Sequence, residues 1–136
     1  MIVVDTNAIA YLYLSSPYTE NVEQLLIQEP EWAAPVLWRS EFRNILALYL
    51  RKKIIDLETA CGIQSQAEEL ISSNEFDIDS VSVLNLANDS GCTAYDCEFI
   101  SLAKSLNCKL VTGDKKLKAA FPDVAFDAHT YISEKF

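Results

Sequence analysis

Short apolar runs rich in β-branched residues alternate with helix-length amphipathic segments along the whole chain. No other feature restricts the fold as much. Residues 1–4 read as a buried strand. Asp5, Thr6 and Asn7 end it with cap-forming side chains, and a helix is expected over 8–14. Within 20–28, Val22, Leu25 and Leu26 recur at helical spacing. A short strand over 32–34 stops at Pro35. A helix over 36–50 follows, with Leu37, Ile45, Leu48 and Tyr49 marking its apolar stripe. A further helix covers 57–71, a short strand 76–78, and a helix capped by Asp79 runs to about residue 89, where Gly91 ends it. Thr93 precedes a helix over 95–106 with Phe99, Ile100 and Leu102 on its apolar face. A strand over 109–112, a helical turn over 115–120 and a last strand over 124–126 complete the pattern. Strands alternating with helices require crossover connections, so the chain is expected to be α/β, with a mostly parallel central sheet and helices on both faces. Its 136 residues suit a single domain, 1–136.

Composition excludes several chemistries. The three glycines, Gly62, Gly91 and Gly113, lie too far apart to form a Gly-rich phosphate loop. His129 is the only histidine, which excludes HExxH zinc sites and di-histidine metal centres. Cys61, Cys92, Cys97 and Cys108 contain no CxxC pair and read as reduced thiols packed as small hydrophobes, the usage expected in a reducing cytoplasm. A zinc set of Cys92, Cys97, Cys108 and His129 is the poorer alternative. The first residues have no basic leader pattern, and the uncharged run 6–19 is too short to span a bilayer, so no membrane association is expected.

In parallel sheets ligands bind beyond the carboxyl ends of the strands, where the following helices begin. Asp5 follows the first strand and Asp114 the fourth, while Glu41 and Asp96 fall in the first turns of helices. Each has an ordinary explanation: Asp5 and Asp114 as caps, Asp96 in a capping box with Thr93, and Glu41 as a surface residue. Together they are harder to dismiss. Four carboxylates crowded at one edge raise one another's pKa unless a cation intervenes, and hard divalent cations prefer oxygen ligands.

At these residues the chain resembles a known family. Ile2-Val3-Val4-Asp5-Thr6-Asn7, the segment 35–46 around Glu41, Ala94-Tyr95-Asp96 followed by 99–103, and Leu110-Val111-Thr112-Gly113-Asp114-Lys115 are similar to the four signature segments of PIN domains. The closest likeness is to the VapC toxins of bacterial and archaeal toxin–antitoxin pairs. The order, spacing and length all agree. The resemblance implies a three-layer α/β/α PIN-like fold and a Mg²⁺- or Mn²⁺-dependent endoribonuclease. It places Asp5, Glu41, Asp96 and Asp114 on the family's catalytic, metal-binding positions and Asn7 and Thr112 on its supporting polar positions. It further implies an RNA substrate, a cognate antitoxin, a homodimer and a cytoplasmic location. Lys116 stands where some members carry a further acid, which leaves open whether one metal or two would act. The segment 9–18, with Tyr11, Tyr13 and Leu14, is a candidate contact surface.

The formal net charge of −9 argues against a nucleic-acid partner until it is divided along the chain. Residues 39–53 and 104–118 each sum to +4, and each block contains one proposed metal ligand, Glu41 and Asp114. Arg39, Arg43, Lys115 and Lys116 are therefore the candidate RNA contacts. Two rival readings are a non-catalytic PIN-like binding module and a receiver-like signalling domain. Receivers usually pair acids after the first strand, and here Asp5 stands alone.

Overall fold

The computed structural model describes residues 1–134. Its elements, in chain order, are β1 (Ile2–Val4), α1 (Thr6–Tyr13), α2 (Thr19–Gln28), β2 (Trp32–Pro35), α3 (Trp38–Arg51) and α4 (Leu57–Ile71). There follow β3 (Glu75–Phe76), α5 (Ser80–Ser90), α6 (Ala94–Ser105), β4 (Leu110–Val111), α7 (Lys115–Ala120), β5 (Ala125–Phe126) and α8 (Ala128–Glu134). The strands form one sheet in the order β3-β2-β1-β4-β5, and every pairing is parallel.

Side chains alternate across a strand, and here the alternation sorts two cores. Ile2, Val4, Trp32, Ala34 and Val111 face one core, shared with buried residues of α1 to α4 and Tyr131 of α8. Val3, Ala33, Leu110 and Ala125 face the other, with Val83 of α5, Leu117 of α7 and Cys97, Phe99, Ile100, Leu102 and Ala103 of α6. The result is the expected three-layer arrangement. β1 is wholly buried because it is covered on both faces and paired on both edges.

The caps follow local chemistry. Asp5, Asp56, Asp79 and Asp114 each adopt extended backbone at a helix N-cap and accept a hydrogen bond from a backbone N–H three residues on. Gly91 closes α5 in the left-handed region, with φ of 72°, where a Cβ would be strained.

Three expectations require correction. The buried face of α3 is Trp38, Phe42 and Leu46, one helical stripe. Of the residues expected there, Ile45 and Tyr49 border the first core, Leu37 packs against the second, and Leu48 is 40% exposed. The Trp38 and Phe42 ring centroids lie 5.8 Å apart and both side chains are fully buried, which gives this face a large apolar area. In the segment 9–18, Ile9 and Leu14 are core residues, and Tyr18 is the large exposed side chain. Helix α8 was not anticipated. Asp127 accepts the Thr130 backbone N–H at 2.7 Å, and the Tyr131 hydroxyl donates to Glu29 Oε1 at 2.8 Å, which fixes α8 against α2. Among the described residues no helix is long and apolar enough to cross a membrane.

The corrected stripe has a measurable consequence. Phe42→Ala is expected to lower unfolding free energy by about 3–5 kcal/mol through lost burial and a residual cavity. Leu48→Ala should cost less than about 1 kcal/mol. Urea denaturation of the two variants distinguishes this face from the alternative.

Candidate functional site at the carboxyl edge of the sheet

β1 has β2 on one side and β4 on the other, so the chain's connections diverge at its carboxyl end. Such a switch point leaves a crevice between the loops. A cavity of about 760 Å³ opens there, and Asp5, Glu41, Asp96 and Asp114 all line it, with Thr6, Asn7, Thr112 and Lys115.

Each carboxylate is delivered by a different element. Asp5 leaves β1 and caps α1, its Oδ1 accepting the Ala8 backbone N–H at 2.8 Å. Its Oδ2 accepts the Thr112 hydroxyl at 2.6 Å. Thr112 is buried at the end of β4, and the same hydroxyl oxygen accepts the Asp114 backbone N–H at 3.1 Å. Asp114 caps α7 by accepting the Leu117 N–H at 2.9 Å. Glu41 projects from the first turn of α3, and its Oε1 accepts the Thr6 hydroxyl at 2.7 Å. Asp96 lies in the first turn of α6, where its backbone N–H donates to Thr93 Oγ1 at 3.1 Å.

The charges feel one another in a closed ring. Burial pushes the Asp5 carboxyl up to about 6, against the opposing hydrogen bonds from Thr112 and Ala8, and the charges of Glu41 and Asp114 raise it further. Glu41 is raised first by burial and then by Asp96, with the Thr6 hydroxyl opposing. Asp96 is raised by burial and by Asp114, while the Thr93 hydrogen bond and the Lys116 charge oppose. The donors are all hard oxygens, which suits Mg²⁺ or Mn²⁺ and disfavours soft metals. Among the described residues no three His, Cys, Asp or Glu side chains are drawn together as a ready metal cage. Capping holds Asp5 and Asp114 at the starts of their own helices, threonine hydroxyls tie Asp5 to the end of β4 and Glu41 to α1, and like charge opposes closer approach.

The basic candidates separate. Lys115 is exposed and lines the cavity. Lys116 donates to the Gly91 carbonyl at 2.8 Å, tying α7 to the α5–α6 turn. Arg39 and Arg43 are absent from the cavity lining. Arg39 makes a two-nitrogen contact with Glu75, at 2.7 and 2.6 Å, and also meets Glu68 at 2.9 Å. Arg43 bonds the Arg39 carbonyl and borders a separate shallow groove. Sequence reasoning missed Thr6. Its signal was a hydroxyl next to Asp5 at the first position of a helix, facing the helix that carries Glu41.

Comparison with known proteins fits this geometry. The family model of the PIN domain matches residues 2–122. The chain is 27% identical over 124 residues to ribonuclease VapC3 of Pyrobaculum aerophilum, covering 89% of this chain and 95% of that one. The crystal structure of PAE2754 from Pyrobaculum aerophilum superposes with a TM-score of 0.77 at 22% identity, over 97% of this chain and 93% of the other. A toxin–antitoxin complex from Klebsiella pneumoniae gives a TM-score of 0.67 at 13% identity, over 94% and 98%. At those identities the two structures establish likeness of fold.

The position of Asp5 implies a stability test. Its folded pKa of about 6 lies above the ordinary 3.8, so its ionised form is the disfavoured one. Its contribution to stability is most favourable below about pH 4 and is lost as pH rises through 6. Asp5→Asn should therefore stabilise the protein in a chelator at pH 7, by up to about 3 kcal/mol, and flatten the pH dependence between 4 and 6. Thermal unfolding across that range checks both.

Proposed function

The chain belongs to the PIN-domain family, and on that premise we propose that it is a single-domain, metal-dependent endoribonuclease, the toxin of a toxin–antitoxin pair. The observation that carries the proposal is the convergence of Asp5, Glu41, Asp96 and Asp114 on one cavity from four different elements. The name of the Pyrobaculum relative supports the RNA substrate, and the Klebsiella complex supports an antitoxin partner. The same reading carries a homodimer working in the cytoplasm.

The four carboxylates would hold Mg²⁺ or Mn²⁺. Bound there, the cation would supply a water of lowered pKa and a counter-charge for the phosphoryl oxygens. The chain's own residues do the rest. The Thr112 hydroxyl fixes one oxygen of Asp5, and Thr6 fixes one of Glu41, so both carboxylates are oriented before substrate arrives. Asn7 is exposed at the cavity mouth beside them and can orient water or the substrate sugar. Glu41, one of whose oxygens is occupied by the Thr6 hydroxyl, lines the cavity beside Asp5 and would accept the proton of the attacking water. Lys115 at the rim meets a substrate phosphate.

Incubation of single-stranded RNA with the protein and Mg²⁺ or Mn²⁺ tests this. Cleavage is expected, with Asp5→Asn and Asp96→Asn slowed at least about a hundredfold. Absence of cleavage by the wild type, or full activity in both variants, overturns the proposal. Thr112→Val should lower activity about ten- to hundredfold, as removal of an orienting partner does, while Thr112→Ser retains most of it. Expression without a partner should arrest cell growth.

A further inference from the structure

We propose that the end of the cavity walled by Tyr11 and Tyr18 is a nucleobase subsite, in which the base next to the phosphate at the carboxylates stacks on the Tyr18 ring. This rests on the ribonuclease reading and extends it to how substrate is gripped. The cavity continues past the carboxylates to Tyr11, Tyr18, Asn21 and His129. Its volume of about 760 Å³ falls among pockets that enclose whole organic ligands, well beyond the needs of a cation and one phosphate.

The aromatic wall is braced. The Tyr11 and Tyr18 rings lie 5.0 Å apart, tilted by 36°. Tyr11 packs against the first core, whereas Tyr18 is 56% exposed, so one ring backs the other. The loop beneath is held by Thr19 Oγ1 donating to the Tyr11 carbonyl at 2.7 Å. It is held further by the Ser16 N–H on Thr19 Oγ1 at 3.0 Å and the Tyr18 N–H on Ser16 Oγ at 3.1 Å. A ring ordered in advance loses little entropy when it binds. Tyr11 also lies within reach of the Asp5 charge, which joins the wall to the carboxylate end.

Charge selects the part of a nucleotide that fits. Lys118 lines this region but is paired with Asp127 at 3.3 Å, so it brings no surplus positive charge for a second phosphate. An uncharged aromatic group is the better occupant, and every nucleobase offers a face to stack. The Asn21 amide offers both a donor and an acceptor to its edge.

The test compares binding of adenosine and uridine 5′-monophosphates with inorganic phosphate, by calorimetry in Mg²⁺, to wild type, Tyr18→Phe and Tyr18→Ala. The nucleotides should bind wild type and Tyr18→Phe about tenfold more tightly than phosphate, and Tyr18→Ala should lose that advantage. In RNA cleavage, Tyr18→Ala should raise KM about tenfold and leave kcat within about twofold. An equal affinity of wild type for nucleotide and phosphate overturns the subsite, as does an advantage that survives Tyr18→Ala. Cleavage with an unchanged KM in Tyr18→Ala overturns it while the ribonuclease reading stands, and would leave the wall as a protein-docking surface. A wild type that cleaves nothing yet shows the Tyr18-dependent nucleotide advantage overturns the ribonuclease reading and supports the subsite.

Discussion

One hydroxyl spans the two strands from which the pocket is built. Thr112 Oγ1 donates to Asp5 and accepts from the backbone of Asp114, so one buried side chain links the two acids across strands that the backbone ladder already pairs. A second hydroxyl, on Thr6, extends the same logic to α3 by holding Glu41. Both threonines are buried and both hydrogen bonds end on carboxylates, where such bonds are stronger than neutral ones. Without them Asp5 and Asp114 would be separate helix caps, and Glu41 would have no hydrogen bond to α1. With them, Asp5, Glu41 and Asp114 form a frame that tolerates its own repulsion.

Much of this is legible in the amino-acid sequence. Asp5 and Asp114 were legible because parallel topology assigns a strand's carboxyl end a known place, and their capping role and proposed chemical role need the same position. Asp96 is legible from its place in the first turn of a helix that leaves the sheet, although its capping box with Thr93 offers an ordinary explanation for the same residue. The α3 stripe was not legible, since Ile45, Leu48 and Tyr49 satisfy helical spacing about as well as Trp38, Phe42 and Leu46. The choice between them was made by ring packing against distant residues. Helix α8 was hidden for a similar reason. Its seven residues bury chiefly Tyr131, whose position depends on Glu29 across the fold. Tyr18 looked like part of an apolar contact segment, and only its loop's hydrogen bonds show it standing out from the core.

The charge pattern shows a different limit. Dividing the net charge along the chain found two basic blocks, but a sum does not record which cations already have partners. Arg39 is engaged by Glu75 and Glu68, Lys116 by the Gly91 carbonyl, and Lys118 by Asp127. Lys104 lies over the Phe121 ring, and Lys109 donates to the Asp123 carbonyl. Much of the basic charge therefore holds the fold together, and Lys115 is the exposed lysine at the cavity rim. The acidic surplus and the cavity are consistent once electrostatic attraction for nucleic acid is seen as local and not global.

The position of β1 also has a temporal side. It is made before the other four strands of the sheet, and it sits at the sheet's centre. The contact that joins Asp5 to Thr112 bridges a separation of 107 residues. Contacts of that separation form only after the loop-closure entropy of the intervening chain has been overcome. A chain still short of β4 holds Asp5 as a bare helix cap, with neither Thr112 nor Asp114 beside it. The carboxylate pocket is thus among the last features that a growing polypeptide can complete, and a nascent chain carries its acids well before it carries a site.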